Sequence, residues 1–161
     1  MSVFDFDDGC GPVPARKHPR GNGWVANTAW VQTTAYVGPY TKVYGHARVG
    51  DHAQVSGNAQ IFGHALVYGN SQVGGDAQIF GHAQIFEYSQ VFEYAQVGGR
   101  AQVDGHTRVG RRAQVYTVTP KQATILMLKY GDKIRFESLS SRLIQVYDRD
   151  NITKMIVRED S

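Results

Sequence analysis

Three histidines stand eighteen residues apart, each closing the same kind of tripeptide: Tyr44-Gly45-His46, Phe62-Gly63-His64 and Phe80-Gly81-His82. An imidazole moves protons near neutral pH, and imidazoles held side by side can share a metal ion. His64 and His82 are therefore the candidates for a catalytic base. No metal site is assigned, and His46, His64 and His82 are the residues that would form one. His52 and His106 are formal alternatives as bases. The equivalent places elsewhere hold Asn58, Asn70, Asp76 and Arg100, residues at home in exposed turns.

What these histidines can do depends on the element that carries them. From Val25 to Val115 the chain keeps an unbroken six-residue frame, with Val or Ile at every first place and Ala, Ser or Thr at every fifth. A period of six contains the strand period of two, so the first place points inward, the second outward, and the fifth inward beside a bend. These β-branched, Gly-rich hexads suit a helix badly. A fixed internal repeat marks a solenoid whose coils cover one another. The eighteen-residue recurrence makes three hexads one coil, hence roughly five triangular coils. The histidines then form one outward column, spaced about 4.8 Å per coil.

The second place of the hexad is expected to face solvent, yet Tyr44, Phe62 and Phe80 run up one face, Tyr68 and Phe86 up another, and Phe92 joins on the third. Contiguous exposed apolar area marks an interaction surface. Tyr44, Phe62, Phe80, Phe86 and Phe92 are thus the expected oligomer interface, with Tyr88 and Tyr94 at the corners. The columns Gln54, Gln72, Gln90 and Gln60, Gln78, Gln96, Gln114 are expected to bond amide to amide along the stack.

Outside the frame, residues 1–24 hold three of the five prolines and no periodicity, which suits an extended arm covering the first coil and its strand edges. The frame is lost after Thr119-Pro120. The organisation read from this is an arm over 1–24, the β-helix over 25–120 and a small β-rich cap over 121–161. Within the cap, 123–128, 133–138 and 142–147 read as strands. Ile152, Met155 and Ile156 follow Asp150 and Asn151 at the spacing of a short terminal helix.

The net charge of +3 conceals an asymmetry: residues 43–97 carry one basic and four acidic groups, and 98–161 carry twelve and seven. Arg100, Arg108, Arg111 and Arg112 make the C-terminal end of the stack a candidate site for an anionic ligand or an acidic protein. No recognised nucleic-acid module accompanies them. The single cysteine, Cys10, excludes an internal disulfide and suits a reducing compartment. No apolar run reaches the length of a membrane span, and the N-terminus MSVFDFDDG is acidic where a signal peptide is basic. The cytoplasm is the expected location.

The hexad frame resembles the left-handed parallel β-helix of the hexapeptide-repeat superfamily, whose consensus is an aliphatic residue, Gly, two variable places, a small residue and one more variable place. The likeness covers Val25 to Val115. It extends to the transferase-like hexapeptide proteins of bacteria and phages, in which an HPxGxGWV-like lead-in precedes the helix. Here that lead-in reads His18-Pro19-Arg20-Gly21-Asn22-Gly23-Trp24-Val25. That group has no settled activity, so the resemblance implies a fold and an origin in a phage or mobile element, with the host cytoplasm as the compartment. Superfamily members are commonly trimers, which implies a homotrimer.

The γ-class carbonic anhydrases of the superfamily use an HxxxxH pair, which is absent; the nearest spacing is His46 to His52. The acyltransferases use an intersubunit His base, an acceptor-holding loop and often a GAGSVV-like coil for coenzyme A. Neither the loop nor that coil interrupts or follows the frame here. The reading is an all-β, left-handed parallel β-helix serving as a non-catalytic, self-associating binding or scaffold protein with no cofactor. An acyl-CoA-dependent acyltransferase is the alternative, and an anionic-ligand or nucleic-acid binder the second alternative.

Overall fold

In a computed structural model of the chain, residues 2–118 are described, with side chains as far as Val115, together with three later strands at Arg135–Ser138, Leu143–Tyr147 and Thr153–Arg158. Each hexad becomes one short strand made from the sixth place of one repeat and the first place of the next, as in Gln60–Ile61 and Gln78–Ile79. These two strands pair in parallel, Gln60 beside Gln78 and Ile61 beside Ile79. The register therefore repeats every eighteen residues, and the strands sort into three parallel sheets, the faces of a β-solenoid. Described residues are strand and turn throughout, with no helix.

The first face carries Lys42–Val43, Gln60–Ile61, Gln78–Ile79 and Gln96–Val97; the second carries Trp30–Val31, Arg48–Val49, Leu66–Val67, Gln84–Ile85 and Gln102–Val103. The third carries Tyr36–Val37, Gln54–Val55, Gln72–Val73, Gln90–Val91 and Arg108–Val109. Inside them lies a column of first-place Val and Ile interleaved with fifth-place Ala, nearly all fully buried. Each buried Val or Ile contributes about 1.5–3 kcal/mol.

From Gly45 to Arg111, beyond the first coil, every corner takes a left-handed residue at the third place. Gly75 sits there at φ +64, where an added Cβ would lie 2.6 Å from the Glu93 nitrogen of the coil beyond. Asp51 and Glu87 take the same conformation, at φ 54 and 61, which costs an L-residue about 1–2 kcal/mol. Their carboxylates accept the N–H groups of Gly69 (3.1 Å) and Gly105 (2.8 Å) one coil on, which offsets that strain.

Along the stack each strand N–H donates to a carbonyl of the next coil, as Trp30 N does to Ala47 O at 3.0 Å. The carbonyls of the first coil therefore have no coil beneath them, and a buried unpaired carbonyl is costly. The N-terminal arm supplies donors. It forms an antiparallel ladder of β1 (Val3–Phe4), β2 (Val13–Lys17) and β3 (Trp24–Ala26). From it Arg16 donates to Ala26 O (3.2 Å) and Ala29 O (3.3 Å), and Arg20 to Thr34 O (2.7 Å). The buried His18 places Nε2 3.2 Å from Gln32 O, while its Nδ1 accepts the Arg20 N–H at 3.2 Å. Gly23 N closes the series on Val37 O at 2.9 Å. Gly21, at φ +106, would carry a Cβ 2.3 Å from that same carbonyl oxygen. The segment from Arg16 to Trp24 is thus a lid in which two arginines, an imidazole and two glycines meet the first coil.

At the other end Thr153–Arg158 pairs in parallel with Gln114–Val118, and Leu143–Tyr147 and Arg135–Ser138 follow antiparallel. The helix expected from Ile152, Met155 and Ile156 is therefore a strand at Thr153–Arg158. The open edge of Gln114–Val118, five residues long where earlier solenoid strands have two or three, pairs with a β-branched segment and overrides its local helical spacing. Strands occur within the expected 133–138 and 142–147; the one expected over 123–128 lies outside the described residues.

Candidate functional site

The corner between the first and second faces carries the histidine column. His46 and His64 stack with ring centroids 5.2 Å apart, and His64 and His82 with centroids 5.0 Å apart. All three are exposed. Among the described residues no group of three His, Cys, Asp or Glu side chains is arranged to hold a metal ion. The corner between the second and third faces repeats the pattern with Tyr88 on His106, centroids 5.1 Å apart. At the remaining corner Arg112 lies over Tyr94 at 6.0 Å. The corners thus stack side chain on side chain, and His52 stands exposed in the same column as Tyr88.

The aromatic row of the first face is longer than the hexads alone indicate, because the arm extends it. Phe4 stacks on Trp24 (4.4 Å) and meets Phe6 edge-on (5.0 Å); Phe6 lies on Tyr44, Tyr44 on Phe62 and Phe62 on Phe80 at 5.0, 5.0 and 5.4 Å. The expectation that the second place faces solvent fails for Tyr44, which is 8% exposed beneath Phe6. Phe62, Phe80, Phe86 and Phe92 are half-buried. Two of them lie over a glycine of the following coil: an added Cβ would fall 2.3 Å from the Phe80 ring at Gly98 and 2.5 Å from the Phe92 ring at Gly110.

Tyr44 donates to Gln60 Oε1 at 3.2 Å. Burial, followed by the negative charges of Asp8 and Asp7, pushes its phenol up to about 12. Asp7 also pairs with Lys42. The glutamine columns bond amide to amide over part of the stack: Gln90 to Gln72 (3.4 Å), Gln96 to Gln78 (3.4 Å), Gln102 to Gln84 (3.3 Å) and Gln114 to Gln96 (3.5 Å), while Gln60 accepts from Tyr44. On the third face a shallow groove of about 390 Å³ runs past Gln72, Gly74, Gln90 and Phe92 to Arg108.

The four arginines do not form one cluster. Arg108 lies on the third face and Arg111 and Arg112 on the corner that follows it, whereas Arg100 continues the histidine column at another corner. One arrangement was not singled out from the sequence. Thr28, Trp30, His46, Arg48 and Tyr68 line an open cleft of about 450 Å³ where the histidine corner meets the second face. Its sequence signal was the eighteen-residue step from Trp30 to Arg48, which makes them register partners on adjacent coils.

No helix among the described residues is long and apolar enough to cross a membrane. The class that the fold defines is a parallel β-solenoid of about five coils, capped by its own N-terminal arm. Compared with known protein families, curated proteins and solved structures, the chain gives no match.

Proposed function

We propose that this protein is a non-catalytic, self-associating binding or scaffold protein of the hexapeptide-repeat type, wound left-handed, whose copies pack side by side through the first face. The observation that carries this reading is the row Phe62–Phe80: two stacked, half-buried rings on a flat sheet, continuing the buried Tyr44. Rings already held in place by their neighbours lose little freedom on association, so their remaining apolar surface is well suited to a second copy. Phe86 and Phe92 give the other two faces smaller versions of the same surface. The side bearing Arg108, Arg111 and Arg112 supplies a cationic surface for an acidic partner.

The test is the mass in solution of the wild type and of the double variant Phe62→Ser/Phe80→Ser, measured by light scattering, with circular dichroism to confirm folding. A folded variant of smaller assembly is expected. A monomeric wild type, or an assembly unchanged by the double substitution, overturns the proposal.

A further inference from the structure

The cleft at the histidine corner sets an uncommitted guanidinium, Arg48, beside two aromatic rings, Trp30 and Tyr68. Arg16 and Arg20 are engaged with carbonyls and Arg112 with Tyr94. Arg48, exposed beside Trp30, makes no ion pair or hydrogen bond among the described residues, and no acidic residue lines the cleft. The Tyr68 hydroxyl likewise has no hydrogen-bond partner among them.

The aromatic walls are set in place. Tyr68 leans toward the N-terminal end of the stack, whereas Phe80 and Phe92 lean the other way over Gly98 and Gly110. Its ring lies across Gly50, where an added Cβ would fall 2.5 Å from Cε1. Gly50 is two residues from Arg48 on the same strand line, so only a glycine there lets the ring lie against the sheet beside the guanidinium. The Gln32 carboxamide, which accepts the Asp51 N–H at 2.8 Å, adjoins the same glycine and fixes the turn after it. On the coil below Arg48, Trp30 is 49% exposed, far more than the solenoid's own packing requires of so large a ring.

We propose that this cleft binds a small anion attached to a ring with a stackable face, with Arg48 pairing the carboxylate or phosphate, Trp30 and Tyr68 holding the ring, and His46 and Thr28 offering further hydrogen bonds. A guanidinium matches a carboxylate or phosphate through two parallel N–H bonds. Aromatic faces hold equally well the apolar side of a pyranose or the plane of a nucleobase. Acidic sugars and nucleoside monophosphates share this chemistry, and the volume suits one unit of either.

The test is titration of the full-length, ¹⁵N-labelled protein with glucuronate and with uridine monophosphate, beside glucose and uridine as uncharged counterparts, following the Trp30 indole and Arg48 guanidinium signals by NMR. One of the two anions is expected to move both signals saturably, and its identity separates the sugar source from the nucleotide source. The uncharged counterpart is expected to bind at least about tenfold more weakly, as is the anion to Arg48→Ala. Because Arg48 is exposed and unpaired, Arg48→Ala should melt with the wild type. Trp30→Ala should weaken the same anion while leaving the Arg48 signal responsive at higher concentration. Failure of both anions to shift the signals into the millimolar range, equal binding of the uncharged compounds, or unchanged binding to Arg48→Ala overturns the proposal.

Discussion

The ring of Phe6 lies 5.0 Å from that of Tyr44, 25° from parallel, so the arm supplies the next aromatic of a row that the solenoid begins. Phe6 is itself 2% exposed. Folding of the arm and protection of Tyr44 are one event, and alkaline titration reads it. The Tyr44 phenol ordinarily ionises near 10.0 and is held at about 12 in the folded protein. A raised value means that the folded state keeps the proton longer than the unfolded state. The stabilisation is then present in full below about pH 10 and is lost as the pH rises through about 12. Denaturation of wild type and Tyr44→Phe across that range should show the wild type losing stability relative to the variant. Phe6→Ala should cost about 3–5 kcal/mol and return the Tyr44 titration toward its ordinary value near 10.0. Ionisation of Tyr44 near 10.0 in the wild type would refute the link.

The lid makes a second prediction. His18→Ala removes the acceptor of the Arg20 N–H and one of two donors to Gln32 O, which keeps the Ala35 N–H at 3.0 Å. The orphaned Arg20 N–H costs about 1–3 kcal/mol. Urea denaturation should place His18→Ala about 1–3 kcal/mol below the wild type, with His18→Gln intermediate. A loss under about 0.5 kcal/mol, the size of an ordinary surface substitution, would mean that the imidazole is not a structural member of the lid.

Ser71 makes the opposite case. It occupies a fifth place, fully buried, and its hydroxyl has no hydrogen-bond partner among the described residues. Ser89, one coil on, donates to Phe86 O at 2.8 Å and is satisfied. Ser71→Ala should therefore stabilise the protein by about 1–2 kcal/mol, which for a chain of this size raises the melting temperature by about 2–8 °C. Ser89→Ala should be near neutral. A Ser71→Ala variant that melts below the wild type would show that the hydroxyl contributes more than it costs.

The hexads made the fold legible because the inward places carry two independent signals, β-branching at the first and small size at the fifth, and every one from Val25 to Val115 is Val, Ile, Ala, Ser or Thr. The stacking of His46 on His64 and the pairing of the glutamines followed from the eighteen-residue register. The lid did not. Arg16, His18 and Arg20 are separated in sequence from the carbonyls they meet, and nothing in a solvent-like run of Pro, Gly and Arg reveals which acceptors the first coil leaves open. The burial of Tyr44 was hidden for the same reason, since Phe6 belongs to the aperiodic arm. Thr153–Arg158 is a strand where the spacing predicts a helix, because spacing over five residues is a weak signal beside an available sheet edge. The cleft was overlooked because Trp30 stands in an atypical first coil and its partner Tyr68 arrives from two coils away.

The solenoid obeys two different counting rules at once. Its inward places repeat every six residues, whereas its outward columns repeat every eighteen. Loss or gain of a single hexad keeps every Val and Ile in phase with the core but rotates all that follows by one face. His82 would leave the column of His64, Phe80 would move off Gly98, and each glutamine would stack on a stranger. A change of three hexads disturbs neither rule and alters only the height of the rod, by about 4.8 Å. Length in this architecture is thus a quantised variable: whole coils are tolerated substitutions, and fractional coils are frameshifts written on the surface alone.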